Sequence, residues 1–155
     1  MKTAALTIAL TMFAGQVSAL SCIMADPKRS FQDAADSDDT YYVLYVTLDF
    51  DPALLPQGVG NNDRGPAVPI PAIFKGHSLS PAGFASYYSG KMTLLPTCAG
   101  PWCGSHAPNV ASLMFAKVAD GAITIEASPC GGNIFPEPSE AVLDDMTACM
   151  NGSCN

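Results

Sequence analysis

The sequence predicts a small, mainly β domain that is held together by disulfide bonds and flanked by one helix at each end. The clearest signal is residues 112–130, SLMFAKVADGAITIEASPC, where two stretches of alternating side chains flank Asp120-Gly121. That dipeptide suits a two-residue hairpin turn, because both turn positions need φ > 0. A second signal is YYVLYVTLDF at residues 41–50, which is rich in β-branched and aromatic residues. The third is the presence of six cysteines.

The N-terminus has the features of a signal peptide. Lys2 supplies the positive charge, and residues 4–14 form an apolar run that is too short to span a membrane. Val17-Ser18-Ala19 then offers small residues for a signal peptidase. We therefore expect a signal peptide at residues 1–19 and a single exported domain at residues 20–155, periplasmic or secreted.

Two other ways of processing the N-terminus remain open. Cleavage after Ser21 also satisfies the small-residue rule and makes Cys22 the first residue. Alternatively, residues 19–22 form a lipoprotein signal in which Cys22 carries a lipid, although Leu20 is displaced by one position from the usual pattern. After the leader, no stretch of the sequence is long and apolar enough to predict a transmembrane segment.

The elements follow in order along the chain. Asp26-Pro27 is a standard helix start, with Asp as the cap and Pro at the first helical position. After the strand at 41–50, a long Pro- and Gly-rich loop covers Asp51 to Pro69. Further strands are predicted at 70–79 and 91–96, and the hairpin at 112–130 supplies two more.

The closing element is a helix from about Pro138 to Met150, which ends at Asn151-Gly152. Its apolar stripe contains Val142, Met146, Cys149 and Met150. Five strands between two short helices predict a five-stranded antiparallel barrel, of which the OB-fold is the commonest type.

Charge and cysteine content restrict the possible partners and the compartment. The formal net charge of −7 repels nucleic acid and anionic membrane surfaces. An even number of cysteines in an exported chain favours disulfides over metal thiolates. The short spacings favour Cys98–Cys103 and Cys149–Cys154, which leaves Cys22–Cys130. The main rival connectivity joins Cys22 to Cys103 and Cys98 to Cys130.

No catalytic set, metal site or cofactor motif is found in the sequence. Gly-Pro-Trp-Cys-Gly-Ser-His at 100–106 imitates a thiol-redox loop, with His106 in place of the second cysteine. No strand–helix–strand unit follows it, so we expect Cys103 to be bonded to another cysteine. His77 and His106 are the only histidines, and they do not have a metal-ligand spacing. We expect no metal and no catalytic residue.

Several of these features together resemble the N-terminal, netrin-like domain of the tissue inhibitors of metalloproteinases. The segments that carry the resemblance follow one another in the same order: Cys22, Phe31 in a short helix, the strand Tyr41 to Phe50, Trp102-Cys103-Gly104-Ser105, the hairpin Leu113 to Cys130, and Cys149. The resemblance implies an OB-fold barrel with a disulfide-clamped N-terminus.

The resemblance also implies protease inhibition, in which the α-amine and carbonyl of an N-terminal cysteine chelate the protease zinc. The family begins with Cys-x-Cys, whereas this chain has one cysteine there, Cys22. Any residue before Cys22 would acylate its amine, so only cleavage after Ser21 leaves that amine free.

The expected function is that of an exported, disulfide-stabilised OB-fold module that binds a protein or small ligand and is not an enzyme. Two alternatives are a metalloprotease inhibitor that acts through its N-terminal cysteine and a thiol-redox protein that uses Cys103.

Overall fold

A computed structural model describes residues 21–56 and 68–154. The predicted signal peptide, the cleavage site after Ala19 and the middle of the Asp51–Pro69 loop lie outside the described residues. The described elements are two α-helices, one short 3-10 helix at Pro52–Leu54, and eight strands: α1 Pro27–Ala35, β1 Thr40–Asp49, β2 Ile70–Ser80, β3 Gly83–Pro96, β4 Cys98–Ala99, β5 Trp102–Cys103, β6 Ser112–Ala119, β7 Ala122–Ala127, β8 Ile134–Pro136 and α2 Glu140–Met150. The fold is therefore mainly β with two helices.

Local sequence signals account for most element ends. The Asp26 carboxylate accepts a hydrogen bond from the Arg29 amide at 2.9 Å, which caps α1. The turn between β6 and β7 has φ of 50° at Asp120 and 77° at Gly121, as its two-residue length requires. Helix α2 ends at Met150, and Gly152, two residues beyond it, has φ of 83°. These three predictions are confirmed.

The main sheet closes on itself. Strand β1 pairs with both β2 and β6, β3 pairs with β2 and β7, and β7 pairs with β6. These pairings form a ring of five strands, and β8 adds a sixth strand on β6.

The prediction of an all-antiparallel sheet is wrong, because β3 and β7 are parallel from Thr93–Thr124 to Pro96–Ala127. The reason is a matter of parity. Strand direction can alternate around a closed ring only if the number of strands is even. A ring of five must contain at least one parallel pair, and here that pair joins β3 to β7.

Two strands differ from the sequence prediction in length or number. The third predicted strand, at 91–96, is the second half of β3, which starts at Gly83. Residues 81–82 form the tight turn between β2 and β3, in which Ala82 donates a backbone hydrogen bond to the Ser80 hydroxyl. The hairpin of β4 and β5 was not predicted, since each strand has two residues.

The apolar core lies inside the ring. Its buried side chains come from all five strands: Leu44, Val46 and Leu48 on β1, Ile70, Ala72 and Phe74 on β2, Met92 and Leu94 on β3, Met114 and Ala116 on β6, and Ile125 and Ala127 on β7. Strands β1 and β2 approach closely at Gly76. A Cβ added there would lie only 2.2 Å from the Tyr45 carbonyl oxygen. Glycine at this position therefore permits the pairing of β1 with β2.

A second apolar cluster lies outside the ring, beneath the helices. Leu113 and Phe115 on β6 pack there with Met146 and Cys149 of α2. Strand β6 is consequently buried on both faces from Ser112 to Ala116, whereas its alternating sequence predicted a half-buried strand. Met150, predicted to lie on the same stripe of α2, is 43% exposed.

Three disulfides tie the chain ends and one loop to this framework: Cys22–Cys130, Cys98–Cys103 and Cys149–Cys154. These are the pairs that the spacings favour, and the rival connectivity is not formed. The bond from Cys22 to Cys130 spans 108 residues, and a loop of that size contributes on the order of 4–5 kcal/mol in the chain-entropy model. It attaches the segment before α1 to the residues that follow β7.

Three disulfides indicate an oxidising environment outside the cytoplasm. None of the helices formed by the described residues is long and apolar enough to cross a membrane.

Candidate functional site

Cys103 and His106, the two residues of the redox-like sequence at 100–106, have different surroundings in the structure. Cys103 is bonded to Cys98 across the β4–β5 hairpin, so it has no free thiol. His106 is only 5% exposed, and its ring stacks on Phe50 with a centroid distance of 6.5 Å. Its Nε2 atom is buried and has no hydrogen-bond partner among the described residues. Burial lowers the pKa of His106, because the charged ring would lose its hydration.

The sequence-predicted chemical groups do not come together at one place. His77 lies on β2, where its ring contacts Tyr87 edge-on at 5.9 Å, while His106 packs against Phe50. Among residues 21–56 and 68–154, no group of three or more His, Cys, Asp or Glu side chains is placed to hold a metal ion.

The N-terminal segment presents a small apolar surface beside its disulfide. Ile23 and Met24 follow the bonded Cys22 and are 83% and 92% exposed. The sulfur of Cys22 is used in the disulfide, and lipidation of Cys22 would need the same atom.

Much of the outer surface of β2 and β3 is left bare by the helices, which pack only at the turn end of this hairpin, on Leu79 and Phe84. Residues alternate across the sheet, so every second side chain on these strands points away from the ring. We call the exposed set Pro71, Ile73, Lys75, Tyr87, Ser89 and Lys91 the β2–β3 face. The strand register places Ile73 opposite Lys91 and Lys75 opposite Ser89. Two of its apolar side chains are well exposed, Ile73 at 43% and Tyr87 at 67%.

A shallow concavity marks one end of this face. It has a volume of about 500 Å³ and is bounded by β2, β3 and the β6–β7 turn. Ile73, Lys91 and Thr93 line one side of it, and Gly121 and Ile123 line the other. Its volume falls within the range of small-ligand sites in proteins. The parallel pairing of β3 with β7 brings this turn beside the face.

The charge of the face is opposite to that of the chain. No Asp or Glu occurs between Asp63 and Asp120, so the acidic residues lie outside the β2–β3 hairpin. The hairpin itself contains Lys75, Lys91 and His77. Its nearest acidic neighbours in the strand pairing are Asp49, opposite Ile73 on β1, and Glu126, opposite Leu95 near the end of β3. This gap in the acidic residues is visible in the sequence, but the net charge of the whole chain does not reveal it.

The two lysines of the face also differ from the other lysines that the structure describes. Lys28 pairs with Asp145 at 3.2 Å and Lys117 with Asp39 at 2.5 Å. The hydrogen bond to Asp39 raises the pKa of Lys117. Within the described residues, Lys75 and Lys91 have no ion pair. Their charges are therefore available to an anionic ligand.

A second cleft, of about 350 Å³, lies between α1 and the start of β1. Phe31, Tyr42, Leu79 and Met150 are among its lining residues, and no charged side chain contributes to it. Hydroxyl-bearing residues, Tyr41, Tyr42 and Ser78, line it, whereas the β2–β3 face carries two lysines.

Comparison of the chain with protein-family models, with curated proteins and with solved structures finds no match to any of them.

We predict that His106 makes the stability of the protein depend on pH. Its folded-state pKa lies below the ordinary value of 6.5, so at mildly acidic pH the unfolded chain binds the proton first. The free energy of unfolding should therefore fall as pH decreases below about 6.5, with a limiting slope of about 1.4 kcal/mol per pH unit. Urea denaturation at a series of pH values measures this slope.

The control compares His106→Asn with the wild type over the same pH series. The substitution should reduce the slope below about pH 6.5. An unchanged slope in His106→Asn would show that the burial of this ring does not control the acid response.

Proposed function

We propose that the protein is an exported, disulfide-stabilised OB-fold binding module whose ligand, a protein segment or a small molecule, occupies the β2–β3 face. The observation that carries this proposal is the bare, partly apolar face with two unpaired lysines and an adjoining concavity. Large exposed apolar side chains grouped on one surface commonly mark interaction sites.

The OB-fold assignment rests on strand order. Strands β1, β2 and β3 are consecutive neighbours, and β6 returns to lie beside β1. A fourth strand that returns beside the first defines a Greek key, and the OB-fold is a five-stranded Greek-key barrel. In OB-folds the ligand contacts strands 2 and 3 and the loops beside them. Here the corresponding surface is the β2–β3 face with the β6–β7 turn.

In this proposal the protein functions in the periplasm or in the extracellular medium. That location is supported by the three disulfides and by the leader-like sequence before Cys22. Reduction of the disulfides in a cytoplasmic environment would detach the N-terminal segment from β7.

Site-specific photo-crosslinking tests the proposed face. A photoreactive amino acid at Ser89, which is exposed in the middle of the face, should give a saturable crosslinked product in the exported fraction. The same group at Asp144, which is exposed on α2, serves as the matched control and should give no such product.

A further variant tests whether the face itself binds. Ile73→Asp introduces a charge into the exposed apolar centre of the face and should abolish the Ser89 product, while leaving thermal unfolding nearly unchanged because Ile73 is 43% exposed. Equal yields from the Ser89 and Asp144 positions, or a Ser89 product that persists in Ile73→Asp, would contradict the proposal.

A second candidate function is protease inhibition through the N-terminus. It is favoured by the bond from Cys22 to Cys130, which holds the exposed Ile23 and Met24 at the surface. An inhibitor of the netrin-like type would insert this segment into a protease active site, with the α-amine of Cys22 on the zinc.

This alternative predicts a defined mature N-terminus. Sequencing of the purified exported protein should give Cys22 as the first residue, and addition of an alanine before Cys22 should abolish inhibition of a zinc protease, since the added residue acylates the amine. A mature chain that starts at Leu20 would eliminate this candidate.

A further inference from the structure

We propose that the ligand of the β2–β3 face is a short, extended acidic segment of a partner protein, with two alternate acidic side chains whose carboxylates contact Lys75 and Lys91 and whose aliphatic stems contact Ile73. The inference rests on the proposed function and adds the chemical class of the ligand.

The geometry of the two lysines supports an extended peptide. Lys91 lies opposite Ile73, and Lys75 is two residues further along β2, so the lysines are diagonal neighbours across Ile73. Diagonal neighbours on adjacent strands lie about 7–8 Å apart. Alternate side chains of an extended peptide point to one side at a spacing of about 6.6 Å. Two acidic side chains on one side of a strand therefore match the spacing of the two lysines.

The distribution of charge favours a short ligand over a long polyanion. The hairpin of β2 and β3 contains no Asp or Glu, whereas Asp49 on β1 and Glu126 on β7 are paired with its two outer edges. A long polyanion such as a nucleic acid would extend past these carboxylates into a chain with a net charge of −7. A short acidic segment contacts the lysines and avoids most of that repulsion.

The apolar part of the face fits a peptide side chain as well. Pro71 and Ile73 are exposed beside the concavity, and Tyr87 is 67% exposed further along the face. The aliphatic stems of the two acidic side chains would lie over Ile73, between the lysines, and burial of Ile73 gives the contact an energy that salt does not screen.

The test uses the full mature protein, labelled with ¹⁵N, and a capped peptide of about eight residues that alternates glutamate and valine. We expect saturable shifts of the amide resonances of Ile73, Lys75 and Lys91, with a Kd below about 1 mM. A peptide that alternates lysine and valine should cause no shifts. An oligonucleotide of equal charge that binds the face as tightly would overturn the assignment to an acidic peptide.

Matched charge variants locate the interaction. The double variant Lys75→Gln/Lys91→Gln should raise the Kd by about tenfold. The variant Lys28→Gln/Lys117→Gln changes the net charge equally but alters other surfaces, and it should change the Kd by less than about twofold. Equal effects of the two variants, or shifts confined to residues outside the face, would overturn the proposal.

Failure of this inference is distinguishable from failure of the proposed function. If the glutamate peptide does not bind but the Ser89 crosslink forms and is lost in Ile73→Asp, the face binds a partner that is not acidic. If the crosslink also fails, the proposed function fails with it.

Discussion

Closure of the main sheet is the constraint on which the other features of this structure depend. Strand β1 pairs on both sides, with β2 and with β6, and β7 completes the ring by pairing with β3. A ring of five strands encloses one apolar core and must include a parallel pair. That pair brings the β6–β7 turn beside the β2–β3 face and thereby forms the concavity there. The same closure leaves the outer surface to be divided between the helices and solvent.

The division of the outer surface decides where a ligand has room to bind. Helices α1 and α2 cover the outer side of β1 and β6 through the cluster around Leu113, Phe115 and Met146. The bond from Cys22 to Cys130 fixes the segment before α1 on this same side of the molecule. Helix α2 covers β2 and β3 only at their turn end, where Leu79 and Phe84 pack in this cluster. Beyond that end, the exposed side chains of the two strands combine lysines with apolar residues. A disulfide-stabilised framework with one bare face is an arrangement that suits binding.

Local signals in the sequence predicted the helices, strands and turns well, but they did not predict how distant segments pair and pack. Asp26, Asp120-Gly121 and the cysteine spacings each act within a few residues, and the structure has the cap, the turn and the short disulfides there. The parallel pairing of β3 with β7 is set by strand count, and the double burial of β6 is set by the packing of α2. The β2–β3 face was missed because its charge differs from the average of the chain, and net charge reports only that average.

The central claim is the closed five-strand ring, and interstrand nuclear Overhauser effects test it most directly. A closed ring predicts backbone contacts between Leu94 on β3 and Ile125 on β7, in the pattern of parallel strands, together with contacts between Val43 on β1 and Phe115 on β6. It also predicts that the backbone amides of residues 93–95 that face β7 exchange slowly with solvent. An absence of contacts between β3 and β7, with those amides exchanging as rapidly as an open sheet edge, would contradict it.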